Sequence, residues 1–339
     1  MRRRLNLLAT VAASVLIVAP MTAWAQDAVG AGSSFPNAAY QKWIAAAQTQ
    51  AGVTIKFDPI GSGGGQTKIL GGDTDFGVSE MPMPDEMKAQ ANLVQFPAVI
   101  GGVVCVANVP GLAPDQLKLN GVLLADIYVG KIKKWNDPAI AAINPGVTLP
   151  DMDIRPVYQK DLIGTTFVFT QYILAANADW QEKYGPRITK RWAVGSAVDG
   201  NIFMGETIKT VPGSIGYMDY NTAVTNKYPT VSLLNKDGKY VPPNPTNFAA
   251  AAASADWAQH PDLVVSLINQ PGATAWPIVT PSYVQIPVAP TDQARSQAVR
   301  KFFDFAFSKG SQSVTESNLV PLPPAAEKAA RAIWAKVGS

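Results

Sequence analysis

The chain is poor in the side chains that most often carry catalysis and metal binding. Among 339 residues there is one cysteine, Cys105, and one histidine, His260. A lone cysteine forms no internal disulfide, even in an oxidising compartment. Cys105 lies in the apolar run Ile100-Gly-Gly-Val-Val-Cys-Val-Ala and reads as a buried core thiol rather than a nucleophile. His260 stands in the polar helix-end sequence Ala258-Gln-His-Pro-Asp. With one of each, zinc sites and Ser-His or Cys-His catalysis have little to draw on; no metal and no cofactor is expected.

A membrane-spanning run is also missing. The apolar stretch Leu5 to Val18 is short for a span and is followed by Pro20. With Met1-Arg-Arg-Arg before it and Ala23-Trp-Ala after it, residues 1–25 read as a secretory signal peptide, cleaved before Gln26. Net charge is absent once that leader is gone. Its three arginines are its only charges, so the remainder carries 25 Lys+Arg against 25 Asp+Glu. No footprint for nucleic acid or an anionic membrane is left. The remaining chain, about 314 residues, exceeds one typical domain and is expected to form two lobes.

What is present is glycine next to hydroxyls, three times. Ile60-Gly-Ser-Gly-Gly-Gly-Gln66 follows the alternating segment Val53–Phe57 and precedes a helix-like segment to about Leu70. Three glycines cost backbone entropy and give no packing, so a tight turn or a close approach must need them. Gly30-Ala-Gly-Ser-Ser-Phe-Pro36 precedes a helix with Tyr40, Trp43, Ile44 and Ala47 on one face. Ser34 is placed as its N-cap and Pro36 in its first turn. Gln159-Lys-Asp-Leu-Ile-Gly-Thr-Thr166 joins a strand ending near Gln159 to a helix starting near Gly164, with Thr165 and Thr166 at its N-terminus. Each is either a capped turn or an anion cradle, since free N–H groups and the helix dipole favour negative charge there. Glu80 ends the short strand Asp75-Phe-Gly-Val-Ser, the edge where open α/β sheets bind ligands, or is an exposed loop carboxylate. Neither glycine loop completes a nucleotide fingerprint.

Further along, Phe96–Ile100 and Val103–Asn108 read as two strand pieces around Gly101-Gly102, a crossing between lobes. Helices are expected at Phe203–Thr210, Ala249–Ala258, Thr291–Phe307 and Ala325–Val337, with a returning strand at Trp276–Thr280 and Tyr283–Ile286. Ser62 or Thr165 with Asp161 makes no nucleophile–base set, so the chain is not expected to be an enzyme.

In this order the pieces resemble the periplasmic phosphate-binding proteins of Pst-type ABC importers. The resemblance rests on Gly30-Ala-Gly-Ser-Ser-Phe-Pro, Ile60-Gly-Ser-Gly-Gly-Gly, Asp75-Phe-Gly-Val-Ser, Gln95-Phe-Pro-Ala-Val-Ile-Gly-Gly, Gly164-Thr-Thr-Phe-Val-Phe-Thr and Pro212-Gly-Ser-Ile-Gly-Tyr. It covers essentially the whole chain after the leader. It implies an α/β periplasmic-binding-protein fold of type II, two doubly wound lobes joined by two crossovers. Lobe I is expected over 26–100 plus 283–339 and lobe II over 101–282.

The resemblance also implies a monomeric periplasmic protein that delivers inorganic phosphate to an inner-membrane permease. By position, Ser34, Ser62, Gly164 and Thr165 match the family's ligand-holding hydroxyls and glycine, and Asp161 the acidic residue that braces its arginine. Three positions depart from the pattern: Glu80 stands for the family's aspartate, Gln159 for the arginine and Ile163 for a serine. These departures leave a second expectation open, a protein of the same fold binding a neutral polar or cationic solute.

Overall fold

In the computed structural model the described residues are 27–160, 163–177, 180, 182, 192–260, 262–334 and 336–337. The expected leader and Asp161 lie outside them. Three short strands open the fold: β1 (Ala28–Gly32), β2 (Ile55–Asp58) and β3 (Phe76–Ser79). β1 pairs in parallel with both others. The continuous burial of β3 fits a parallel sheet covered on both faces. The helices between them are α1 (Asn37–Gln50) and α2 (Ser62–Gly71). The expected stripe of α1 is buried at Tyr40, Trp43 and Ala47, and Trp43 Nε1 donates to the Gly310 carbonyl at 3.0 Å.

After α3 (Asp85–Gln90), the next strand is one piece, not two. β4 runs fifteen residues, Leu93–Ala107, straight through Gly101-Gly102. The glycines are there for close packing rather than for a break. A Cβ at Gly101 would lie 2.7 Å from the Phe35 ring, and one at Gly102 would lie 2.4 Å from the Phe248 ring. β4 pairs antiparallel with β11 (Val279–Pro287) over 93–102, then with β8 (Ser214–Asp219) over 103–107. It therefore joins the two halves of an eight-stranded order, β2-β1-β3-β11-β4-β8-β6-β7, where β6 is Arg155–Gln159 and β7 is Ser196–Val198. Beside it, β5 (Lys118–Leu119), β9 (Ser232–Leu234) and β10 (Tyr240–Val241) make a small second sheet. The register of β4 and β11 slips between Ser282 and Tyr283, opposite Val99 and Pro97. A proline has no N–H for the ladder, and a bulge is where a sheet tolerates one.

The second half carries α4 (Gly121–Tyr128), α5 (Pro138–Ile143), α6 (Gly164–Ala176), α7 (Gly200–Thr210), α8 (Tyr220–Thr225) and α9 (Pro245–Ala253). The chain closes with α10 (Gln293–Lys309), α11 (Ser311–Thr315) and α12 (Pro324–Trp334). The helix expected at Ala249–Ala258 starts four residues earlier because Asn244 caps it, its Oδ1 accepting from the Asn247 N–H, with Pro245 in the first turn. This strand-and-helix order is the α/β, type II arrangement that the resemblance implies. Cys105 is fully buried in β4, and burial pushes its thiol well above the usual range. No helix among the described residues is long and apolar enough to cross a membrane.

Candidate functional site

Three strand-to-helix turns converge on one cleft between the halves of the sheet. The turn after β1 brings Ser33, Ser34 and Phe35; the turn before α2 brings Gly61 and Ser62. The turn before α6 brings Ile163, Gly164 and Thr165, and Asn201 from the start of α7 completes the wall. The enclosed cavity is only about 10 Å³, close to the least volume that takes one water molecule. As the walls stand, no oxyanion fits.

Glu80 explains how the walls come so close. It follows β3 directly, is 1 % exposed, and turns its carboxylate to the point where the helix starts meet. Oε2 accepts from Ser33 Oγ at 2.6 Å and Ser62 Oγ at 2.8 Å; Oε1 accepts from Ser282 Oγ at 2.9 Å. A Cβ on Gly164 would lie 2.0 Å from Oε2 and 2.5 Å from Ser62 Oγ, so only glycine fits opposite the carboxylate. Burial pushes the Glu80 carboxyl up from its ordinary range, and the three serine hydroxyls hold it back down in part. Glu80 is thus no exposed loop carboxylate.

The opposite wall has its own hydrogen-bonded set. Gln159, the last residue of β6, is 2 % exposed. Its Nε2 donates to Asn201 Oδ1 at 2.7 Å and to Thr165 Oγ1 at 3.2 Å. Asn201 Nδ2 in turn donates to Asp219 Oδ2 at 2.7 Å, while Asp219 Oδ1 accepts from the Thr222 N–H at 2.8 Å. Burial raises the Asp219 carboxyl as well. Lys160, next in the chain, is exposed, as strand alternation requires. No lysine or arginine lines the cleft among the described residues.

The structure brings Ser34, Ser62, Gly164 and Thr165 to one cleft, with Glu80 against it and Gln159 one bond behind Thr165. Asp161 lies outside the described residues. Two expectations change in detail. Ser34 is exposed and does not cap α1; Pro36 occupies the cap position and no side chain bonds there. The buried hydroxyl is that of Ser33, which also accepts from the Phe35 N–H at 3.1 Å. Thr166 does not face the cleft wall but shares a 3.0 Å hydrogen bond with Tyr217 Oη in the core. Ser33, Ser282, Asn201 and Asp219 were not legible as site residues. Ser282 lies between the two strand pieces expected at Trp276–Thr280 and Tyr283–Ile286, which the structure joins as β11.

Comparisons with known proteins show the family to which such a fold belongs. A family model described as a PBP superfamily domain matches residues 20–309. A phosphate-binding protein PstS of Pasteurella multocida is 41 % identical over 314 residues, covering 93 % of this chain and 91 % of that one. A PstS of Haemophilus influenzae is 39 % identical over 312 residues, covering 92 % and 93 %. Among solved structures, a high affinity periplasmic phosphate-binding protein (PfluDING) bound with phosphate aligns with a TM-score of 0.73 at 20 % identity, over 91 % of this chain and 93 % of that one. The phosphate-binding protein of Stenotrophomonas maltophilia aligns with a TM-score of 0.69 at 19 % identity, over 91 % and 94 %. These two structures bear on the fold alone, whereas the family model and the PstS relatives reach across the sequence. The chain belongs to the PstS-type phosphate-binding family of the PBP superfamily.

Proposed function

We propose that this chain is the periplasmic solute-binding protein of a phosphate ABC importer, which captures inorganic phosphate between its lobes and hands it to an inner-membrane permease. The observation that carries the reading is the convergence of three helix starts and the hydroxyls of Ser33, Ser62 and Thr165 on one cleft. The names of the PstS relatives point the same way, and they favour phosphate over a neutral or cationic solute. The lobes run over 26–100 plus 283–339 and over 101–282, a division supported by the change of β4 from β11 to β8 near Val103. A leader over 1–25 takes the chain to the periplasm, where it works as a monomer.

The role is binding rather than catalysis. Ser33 and Ser62 share a carboxylate instead of an imidazole, and His260 is exposed outside the cleft wall. Titration calorimetry of the refolded, ligand-free mature protein with inorganic phosphate tests the reading. Binding at micromolar Kd or tighter, about −8 kcal/mol, is expected within the range from about pH 5 to pH 8. No heat at millimolar phosphate anywhere in that range overturns it.

A further inference from the structure

The orientation of the Gln159 amide is fixed by a chain of bonds that starts at a carboxylate. Asp219 offers only acceptors when ionised, so Asn201 must turn Nδ2 toward it. That leaves Asn201 Oδ1 facing Gln159, which must answer with Nε2. Gln159 Oε1 is the atom left over, buried and without a partner among the described residues. A buried unpaired acceptor lacks a donor, and Gln159 stands one hydrogen bond behind Thr165 of the cleft wall. Thr165 Oγ1, already accepting from Gln159, keeps its own proton to give.

We propose that this cleft takes phosphate as its doubly protonated monoanion, with the Glu80 carboxylate and Gln159 Oε1 each accepting one ligand proton. The hydroxyls of Ser33, Ser62 and Thr165 donate to the two unprotonated oxygens. Each serine hydroxyl that turns from Glu80 to the ligand frees a lone pair on Glu80 for the ligand's O–H. The inference rests on the phosphate reading above and sharpens it.

Charge points the same way. The starts of α1, α2, α6 and α7 on the cleft wall supply about +0.5 each, roughly +2 in all. An ionised Glu80 with a monoanion already makes −2, and a dianion would make −3, with no cation on the wall among the described residues to offset it. The other titratable groups around the two acceptors are Tyr40, His260, Tyr217 and Asp219. Tyr40 of α1 is buried near Glu80. His260 is among the residues of a second cavity, about 270 Å³, that Glu80 also lines. Tyr217 Oη accepts from the Gln159 N–H at 3.3 Å, and Asp219 adds a further negative charge behind Asn201.

The test is titration calorimetry of the mature protein with inorganic phosphate, in buffers of different ionisation enthalpy, from about pH 5 to about pH 8. About one proton is expected to be taken up per phosphate at the alkaline end. The Kd for total phosphate is expected to rise about tenfold per pH unit above the second pKa of phosphate, because only the monoanion fraction binds. In Gln159→Met the second acceptor is gone, so the Kd for phosphate is expected to rise about tenfold; an unchanged Kd would mean that Gln159 accepts no ligand proton and overturn the proposal. Gln159→Arg supplies the missing cation and is expected to flatten the pH slope; an unchanged slope would overturn the proposal too. In the wild type, tight binding with no proton uptake means the dianion is bound and refutes the proposal while phosphate binding stands. Absence of phosphate binding at every pH refutes the functional reading beneath it instead.

Discussion

Glu80 brings a negative charge to a place where only hydroxyls and its own backbone N–H receive it. Its folded-state pKa is raised above the ordinary value of 4.5, with burial the largest cause. Such a group is neutral in both states below the unfolded pKa, and its stabilising contribution is complete there. It is lost as pH rises through the folded pKa, because the folded state must then hold a desolvated charge. Glu80→Gln keeps the shape and removes the charge. Its unfolding midpoint in urea should therefore exceed the wild type's at about pH 8 and match it at about pH 4. An equal shift at both pH values would mean that burial and the three serines cancel, and a lower midpoint at about pH 8 that the serines outweigh burial. The neighbouring serines show how far a sequence specifies such a place. Two adjacent hydroxyls, Ser33 and Ser34, are chemically alike; which of them turns inward is decided by the backbone of the turn, and no pattern in the residues distinguishes them.

At the scale of elements, the glycine run before and within α2 serves packing as much as ligand. Gly61 sits at φ 89°, in the left-handed region, and gives its N–H to the Gly32 carbonyl at 2.8 Å. At Gly65 a Cβ would lie 2.4 Å from the Gly32 Cα and 2.7 Å from the Ala31 carbonyl oxygen, both backbone. At Gly64 the nearest atom is the Ile60 Cδ1 at 3.0 Å, the free end of a side chain that is 43 % exposed. Gly65→Ala should cost about 1–3 kcal/mol in a denaturant titration by lifting α2 from β1. Gly64→Ala should be neutral or gain up to about 1 kcal/mol from helix propensity. Equal effects at the two positions would refute this packing account.

The elements themselves were largely legible from period and punctuation: β2, β3 and the stripe of α1 lie where alternation and 3.6-residue spacing put them, whereas β1 runs through Gly30-Ala-Gly32, which reads in the sequence as the start of a glycine loop. Gly101-Gly102 was not, because the rings that need those glycines, Phe35 and Phe248, come from distant parts of the chain. Asn201 was invisible for the same reason. Its role exists only because α7 starts beside Gln159, forty-two residues away in sequence.

At the scale of the whole molecule, the candidate site is divided between two walls that do not hydrogen-bond to each other through the site side chains described. Glu80 gathers Ser33, Ser62 and Ser282 on the β1–β3 side. Gln159 gathers Thr165, Asn201 and Asp219 on the β6–β8 side. A ligand that engages both sets couples the halves and so stabilises the folded chain as one unit. Mass action gives about 2.7 kcal/mol of added stability at a ligand concentration of 100 times Kd. For a chain of this size that is a rise in the apparent unfolding temperature of about 4 °C. Inorganic phosphate near neutral pH should produce it. Sulfate at the same ionic strength should not, because it offers no proton to Glu80 or to Gln159 Oε1 and brings a second charge to a wall with no cation among its described residues. A scanning measurement in the two salts decides the matter. An equal rise in sulfate would mean that the halves respond to anions in general, and that the two buried acceptors do not select the ligand.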